Sequence, residues 1–396
     1  DPRYRQYGGS SENRRFMPLA LSLQYQRDST VTRFFRSTID RGNFGIVQRL
    51  DQDGKPIDEF GNRTGEPTIN RLTFNIETQR DFELSLGSRG EQLKRSTLFL
   101  RYSYEDVRLF NISSLLIAPL LRPDRAIRLS RLGAAFVRDT RDSQFDATRG
   151  QFLAVDYGLA LSQLGGNLSF SKFRADYHAY YRLEGVRRTV LAGNVTLGLA
   201  NLFHPRDRDG NGIIDEPDLR LPISERFFAG GSTTLRGFGF EEAGPREVIP
   251  GGVFRNNKGE PVALNAFTVP IGGNALAVVN LEARTPLTKV FQVVPFYDGG
   301  NVFRRVGEIF GHETPPAPGE DPVLRQNLRA HWTHTLGLGL RIKTPIGGAL
   351  AVDFGYLLNP PEFIIPQGTD AMGDPFPPGI FRLKRNQLHF RFTQTF

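Results

Sequence analysis

The stretch Lys172-Phe173-Arg174-Ala175-Asp176-Tyr177-His178-Ala179-Tyr180-Tyr181 decides the fold. Phe173, Ala175, Tyr177, Ala179 and Tyr181 alternate with Lys172, Arg174, Asp176 and His178, the period of two that gives each face of a β-strand one character. Three polar positions carry full charges. In a packed core each charge would need a partner, whereas in a water-filled interior none does. The strand therefore reads as the wall of a barrel, its apolar side toward lipid and its polar side toward a lumen.

The same pattern recurs along the chain. Leu19, Leu21, Leu23 and Tyr25 oppose Ala20, Ser22, Gln24 and Gln26; Leu72, Phe74 and Ile76 oppose Arg71, Thr73, Asn75 and Glu77. Leu98, Leu100, Tyr102 and Tyr104 oppose Arg101, Ser103 and Glu105. Later, Val279, Leu281 and Ala283 oppose Asn280, Glu282 and Arg284, and Leu336, Leu338 and Leu340 oppose Gly337, Gly339 and Arg341. Leu350, Val352, Phe354 and Tyr356 oppose Ala351, Asp353 and Gly355. Many segments reach the roughly 9 to 11 residues that cross a bilayer, longer than the usual soluble strand of about 5 or 6. Twelve segments are clear, and weaker pieces near Val31–Ile39 and Phe44–Leu50 raise the count to fourteen. The expected fold is all-β: a transmembrane antiparallel β-barrel of 12–16 strands forming a single domain over residues 1–396. Connectors alternate between long and short, as outer loops and periplasmic turns do.

Composition excludes other classes. Hydrophobic residues are 39% of the chain and no apolar run approaches the roughly 18 residues of a spanning helix, so a helical membrane protein is excluded. Forty-two Gly and 26 Pro supply turns for many strands. With no cysteine there is neither a disulfide framework nor a thiolate nucleophile. The net charge of +8 comes from 50 Lys and Arg interleaved with 42 Asp and Glu, without a basic block, so no nucleic-acid partner is expected. Asp1 is not preceded by a visible signal peptide, which suits a mature, trimmed or partial chain.

Alternation stops after Asn201 for about seventy residues, far beyond an ordinary connection. This long insertion, residues 202–273, contains Arg226-Phe-Phe-Ala-Gly-Gly-Ser-Thr-Thr-Leu-Arg-Gly-Phe-Gly-Phe240. Taken alone, Leu235-Arg236-Gly237-Phe238 would suit an ordinary glycine-rich hairpin with a surface Arg. In its setting it resembles the loop signature of the outer-membrane β-barrel assembly family, the BamA and TamA insertases and their two-partner-secretion relatives. Three further stretches share that resemblance: Asp139 to Gly150 with its Asp-Thr-Arg-Asp and Thr-Arg-Gly, Asn280-Leu-Glu-Ala-Arg-Thr-Pro286, and Phe296-Tyr-Asp-Gly-Gly300. The likeness covers roughly Leu129 to Phe396 and implies that the loop folds into the lumen. There Arg236 would reach Glu282 and Asp298, with Phe238 and Phe296 beside it and Gly300 on the same inward face. The C-terminal strand carries Leu388, Phe390 and Phe392 and ends on Phe396, similar to the terminal signal of outer-membrane barrels; the resemblance makes it one side of a seam.

That family has sixteen strands preceded by periplasmic repeat domains, and no repeat with a βα pattern is legible here. The resemblance implies a bacterial outer-membrane location among outer-membrane lipids. Its implied function is to fold and insert client β-barrel proteins through a lateral seam, without nucleotide, beside periplasmic repeat domains and accessory lipoproteins. A two-partner-type secretion pore and a plain diffusion porin remain alternatives.

No cofactor is required by this reading. One stretch fits an ion: Asp207, Asp209, Asn211, Gly212, Ile213, Asp215 and Asp218 occupy positions 1, 3, 5, 6, 7, 9 and 12 of an EF-hand-type calcium loop. Position 12 is Asp where a bidentate Glu is usual, and neither flank reads as a helix. Residues 207–218 therefore suit either a bare Ca²⁺ loop or an acidic turn without an ion. No enzyme is expected: none of the six His, at 178, 204, 312, 331, 334 and 389, falls near a motif-bearing Ser, and Gly337-Leu338-Gly339 lacks the following helix of a phosphate loop.

Overall fold

The computed structural model describes residues 4–7, 15–28, 49–51, 53–58, 60–83, 95–115, 118–143, 146–185, 188–208, 210–249, 252–255, 261–264, 266–344, 348–369 and 375–394. Phe396, Asp209, Val31–Ile39 and most of Phe44–Leu50 lie outside those residues, so the expectations placed on them find no counterpart here. The chain is a transmembrane antiparallel β-barrel protein whose strands follow one another as a meander. A short β1 (Tyr4–Tyr7) pairs with β2 (Arg15–Asp28), followed by β3 (Thr68–Glu83), β4 (Arg95–Phe110), β5 (Ala126–Asp139), β6 (Gly150–Ala160), β7 (Ser169–Arg182) and β8 (Val190–Phe203).

The long insertion then carries two short ribbons, β9 (Arg246–Ile249) with β12 (Phe267–Pro270) and β10 (Gly252–Arg255) with β11 (Pro261–Leu264). The wall resumes with β13 (Ala275–Pro286), β14 (Phe291–Phe303), β15 (Thr333–Thr344) and β16 (Gly348–Leu357). A last excursion holds β17 (Glu362–Ile365), β18 (Gly368–Thr369), β19 (Pro375–Phe376) and β20 (Gly379–Arg382) before the final strand β21 (Asn386–Gln394). Hydrogen bonding runs from β1 through β8, directly to β13, and on through β14, β15, β16 and β21. Among the described residues no pairing joins the two ends. Twelve of these strands are long, from nine residues in β21 to sixteen in β3 and β4, the reach that a tilted membrane strand needs. No helix among the described residues is long and apolar enough to cross a membrane.

The period of two is realised as two faces of opposite fate. Leu23, Tyr25, Leu132, Tyr177, Leu281, Leu338, Phe354 and Phe390 stand exposed on the convex side, as lipid-facing residues do; Leu23 is 72% and Phe390 67% exposed. Their neighbours one position along turn to the concave side. The insertion between β8 and β13 packs there, and its Leu221, Phe227, Leu235, Phe238 and Ile271 share one buried cluster with Leu129, Phe170, Leu276, Val302 and Leu357 of the wall. Each such side chain contributes about 1.5–3 kcal/mol when fully buried, so the loop is a packed element.

This filling changes one expectation. Charges on the inner face of β7 are not simply solvated: Lys172 lies 3.3 Å from Glu225 of the insertion, and Asp176 pairs with Arg174 at 2.7 Å. Polar atoms near a packed loop lose water and require partners.

Candidate functional site: a guanidinium latch in the lumen

The insertion turns back on itself at Gly230 and Gly231, whose φ of 118° and 97° are left-handed values that a side chain resists. Gly231 N–H donates to the carbonyls of Leu235 and Phe238, and Gly230 N–H to Thr234 Oγ1 at 2.8 Å. The tight turn presents Arg236 at the loop's tip, inward of the wall. Leu235 and Phe238 on either side are buried in the cluster that fastens the loop.

Register brings the wall's contribution together. Asn280 of β13 sits opposite Asp298 of β14, and Glu282 opposite Phe296. Phe296 in turn lies opposite Gly337 of β15, which lies opposite Gly355 of β16. All occupy inward positions, so one belt across the strands offers an acid, an aromatic ring and two gaps. Those gaps are used. A Cβ on Gly337 would strike the Phe296 ring, and one on Gly355 would strike the Arg236 carbonyl.

Arg236 engages nearly every donor it has. Its Nε donates to Asp298 Oδ2 at 2.8 Å and its Nη2 to Asp298 Oδ1 at 2.6 Å, the fork-on-fork geometry that a guanidinium makes and an ammonium cannot. Nη1 donates to Glu282 Oε1 at 2.6 Å and stands 4.0 Å from Asp353 Oδ2. The backbone N–H of Arg236 also donates to Asp298, at 2.9 Å, so that carboxylate grips both side chain and main chain. Cζ sits 3.5 Å from the centroid of Phe296, within cation–π range. Asp298 is 0% and Arg236 4% exposed. Burial works against the guanidinium's charge, but Asp298 and Glu282 outweigh it and hold the pKa above its ordinary value.

The latch extends to the last strand. His389 of β21 contacts the Arg236 carbonyl through Nε2 at 3.0 Å, and Asn280 donates to the Thr234 carbonyl at 2.6 Å and to Asp298 at 2.8 Å. Asp353 and His389 are not among the partners the resemblance implies; Asp353 lies on the inner face that alternation assigns, and His389, between the exposed Leu388 and Phe390, faces inward likewise. Gly300, on the same face as Asp298, has φ 134° and lies against the backbone of Ala277 and Val278; it shapes β14 without touching Arg236.

A second anchor holds the loop's other side. Glu225 accepts from Arg131 Nη1 of β5 at 2.8 Å and from Lys172 of β7 at 3.3 Å. Lys172 also lies 5.1 Å from the Phe227 ring. The next residue, Arg226, is buried and donates to the carbonyls of Leu221 and Ile271 at 2.6 and 3.0 Å. Burial pushes its pKa down to about 10, with Asp124 acting in the opposite sense.

The acidic stretch 207–218 arranges itself differently. Asp207 accepts from the N–H groups of Gly210, Asn211 and Gly212, and Asn211 Oδ1 from that of Ile213, which closes a turn. Asn211 donates to Asp215 at 3.0 Å, whereas Asp218 is buried and accepts from Arg208 N–H at 2.9 Å. Burial pushes the Asp218 carboxyl above its ordinary value. Among the described residues no three His, Asp or Glu gather as a metal site. Of the seam residues, Leu388, Phe390 and Phe392 are exposed on the convex side.

The Omp85 superfamily domain matches residues 21–396. The outer membrane protein assembly factor BamA of Nitratidesulfovibrio vulgaris is 28% identical over 282 residues, 69% of this chain and 29% of the relative. The chain thus spans under a third of that protein's length. Among solved structures it is similar to BamA from Haemophilus ducreyi lacking POTRA domains 1–3, at 16% identity and a TM-score of 0.46 over 82% of this chain and 54% of the other. It is also similar to CdiB from Acinetobacter baumannii, at 13% identity and a TM-score of 0.40 over 87% and 47% of the two chains.

Proposed function

Because the chain belongs to the Omp85 superfamily and resides in the bacterial outer membrane, we propose that it folds and inserts client β-barrel proteins of that membrane. A client strand adds to the side of β21 that is unpaired among the described residues, by backbone hydrogen bonding, as an extended peptide adds to an exposed sheet edge. Unpaired strand groups in lipid cost several kcal/mol each, and that cost favours exchange of partners at the seam. Neither nucleotide nor covalent chemistry enters this scheme. Periplasmic repeat domains and accessory lipoproteins would deliver the client.

The observation that carries the reading is the position of the latch. Arg236 ties the insertion to β13, β14 and β16, while its carbonyl meets His389 of β21, the strand at the sheet's end. The loop thus braces the wall next to the seam, and among the described residues β21 is held by one neighbouring strand, β16. A packed insertion in the lumen also disfavours a plain diffusion porin, which needs a clear path for solutes. Depletion of the protein, followed by quantitative proteomics of the outer membrane, tests the proposal. Broad loss of β-barrel proteins is expected; loss of one secreted client with the barrels intact would instead fit a secretion pore, and an unchanged proteome would reject both.

A further inference from the structure

Under the loop tip the lumen holds more positive than negative charge. Four guanidinium groups, Arg236, Arg284, Arg341 and Arg391, stand among three carboxylates, Glu282, Asp298 and Asp353. Arg236 takes Asp298 and Glu282, Arg284 takes Glu282 at 2.8 Å, and Arg341 takes Asp353 at 2.5 Å. Arg391 is left over. Among the described residues its hydrogen bonding is limited to a 3.4 Å contact from Nη1 to the Ser232 carbonyl, and its Nε is buried without an acceptor. Nη2 of Arg341 makes no hydrogen bond but stands 3.8 Å from Glu282 Oε1, so its charge is matched. On the surrounding wall Asp176 is matched by Arg174 and Asp139 by Arg141, so the excess stands.

A cavity of about 190 Å³ opens at this point, lined by three guanidiniums, Arg391, Arg284 and Arg236, by one carboxylate, Glu282, and by Ser232 and Asn280 among others. A buried donor without an acceptor is costly, more so when charged. Planar donor forks recognise oxyanions, and a low-dielectric surrounding strengthens that recognition. We propose that this cavity binds one small oxyanion of the phosphate class, received by the guanidinium of Arg391 beside Arg284, beneath the loop. Such an ion would connect β21 to the loop and to Arg284 of β13, and so fasten a strand that meets the loop through His389 and the long contact of Arg391 to Ser232.

Calorimetry on the full chain in non-ionic detergent, titrated with sodium phosphate at ionic strength fixed by sodium chloride, tests this. Saturable binding of one phosphate is expected, weakened about tenfold or more in Arg391→Gln, the worth of a charged hydrogen bond, and unchanged in Arg80→Gln on β3. A second titration uses dihexanoyl phosphatidylglycerol: binding there alone, lost in Arg391→Gln, would support the site and assign it to a lipid headgroup. If Arg391→Gln does not fold, Arg391→Lys keeps the charge without the fork and should still weaken binding. Absence of saturable binding in both titrations, or equal affinity in the Arg391 variants, would overturn the proposal.

Discussion

The inner faces of β2 and β14 follow the same alternating rule and end in opposite conditions. On β2, Ala20, Ser22 and Gln24 remain exposed although they point away from the lipid side. On β14, Phe296 and Asp298 are buried beneath the insertion, against Arg236. The difference teaches that a period of two assigns a residue to a side of the wall, while the folding of one loop determines whether that side is wet or packed. Inner polar groups on β2 are free to be solvated; inner charges on β13 to β16 must be balanced.

This contrast can be broken most forcefully at the latch. Arg236→Ala should destabilise the protein by about 3–5 kcal/mol, since it leaves Asp298 buried without a countercharge; guanidinium unfolding in detergent measures it. On the lipid face the two regions should respond alike: Leu23→Arg on β2 and Leu338→Arg on β15 should each cost about 2–4 kcal/mol if the residue sits near the midplane. A large disparity between them in urea titrations from vesicles would argue that one of the two faces something other than lipid. The Glu225 anchor comes next, where Glu225→Gln should cost about 1.5–3 kcal/mol by weakening charged hydrogen bonds to Arg131 and Lys172. Smallest is Gln24→Lys on the open inner face of β2, expected within about 0.5 kcal/mol of wild type. Equal losses for Gln24→Lys and Asn280→Lys, the latter beside Asp298, would erase the distinction between the two regions.

The strands were legible because their pattern is local. Phe173 to Tyr181 assign their own faces, and Leu388, Phe390 and Phe392 do likewise without reference to any distant residue. The latch was partly legible: Arg236, Glu282, Phe296 and Asp298 carry a recognisable family pattern, and parity put all three wall residues inward. Asp353 and His389 were on inward faces too, but parity cannot say how far along the axis a loop tip descends, so their contacts to Arg236 awaited the register. Glu225 with Arg131 and Lys172 gave no local signal, being pairs separated by 94 and 53 positions. The ribbons β9 with β12 and β17 with β20 escaped because four-residue strands inside loops are too short to display a period. The spacing of Asp207 to Asp218 fits a cation loop, yet spacing does not reveal that Arg208 N–H claims the last carboxylate.

The ion pair between Arg236 and Asp298 inside the lumen is what fastens the insertion to the wall. A double-mutant cycle with Arg236→Ala, Asp298→Ala and the pair, read by reversible unfolding, isolates that interaction. A coupling of about 2–3 kcal/mol is the predicted result, because removing either partner strands the other in a dry site. Additive losses would contradict it and would place the guanidinium away from the carboxylate.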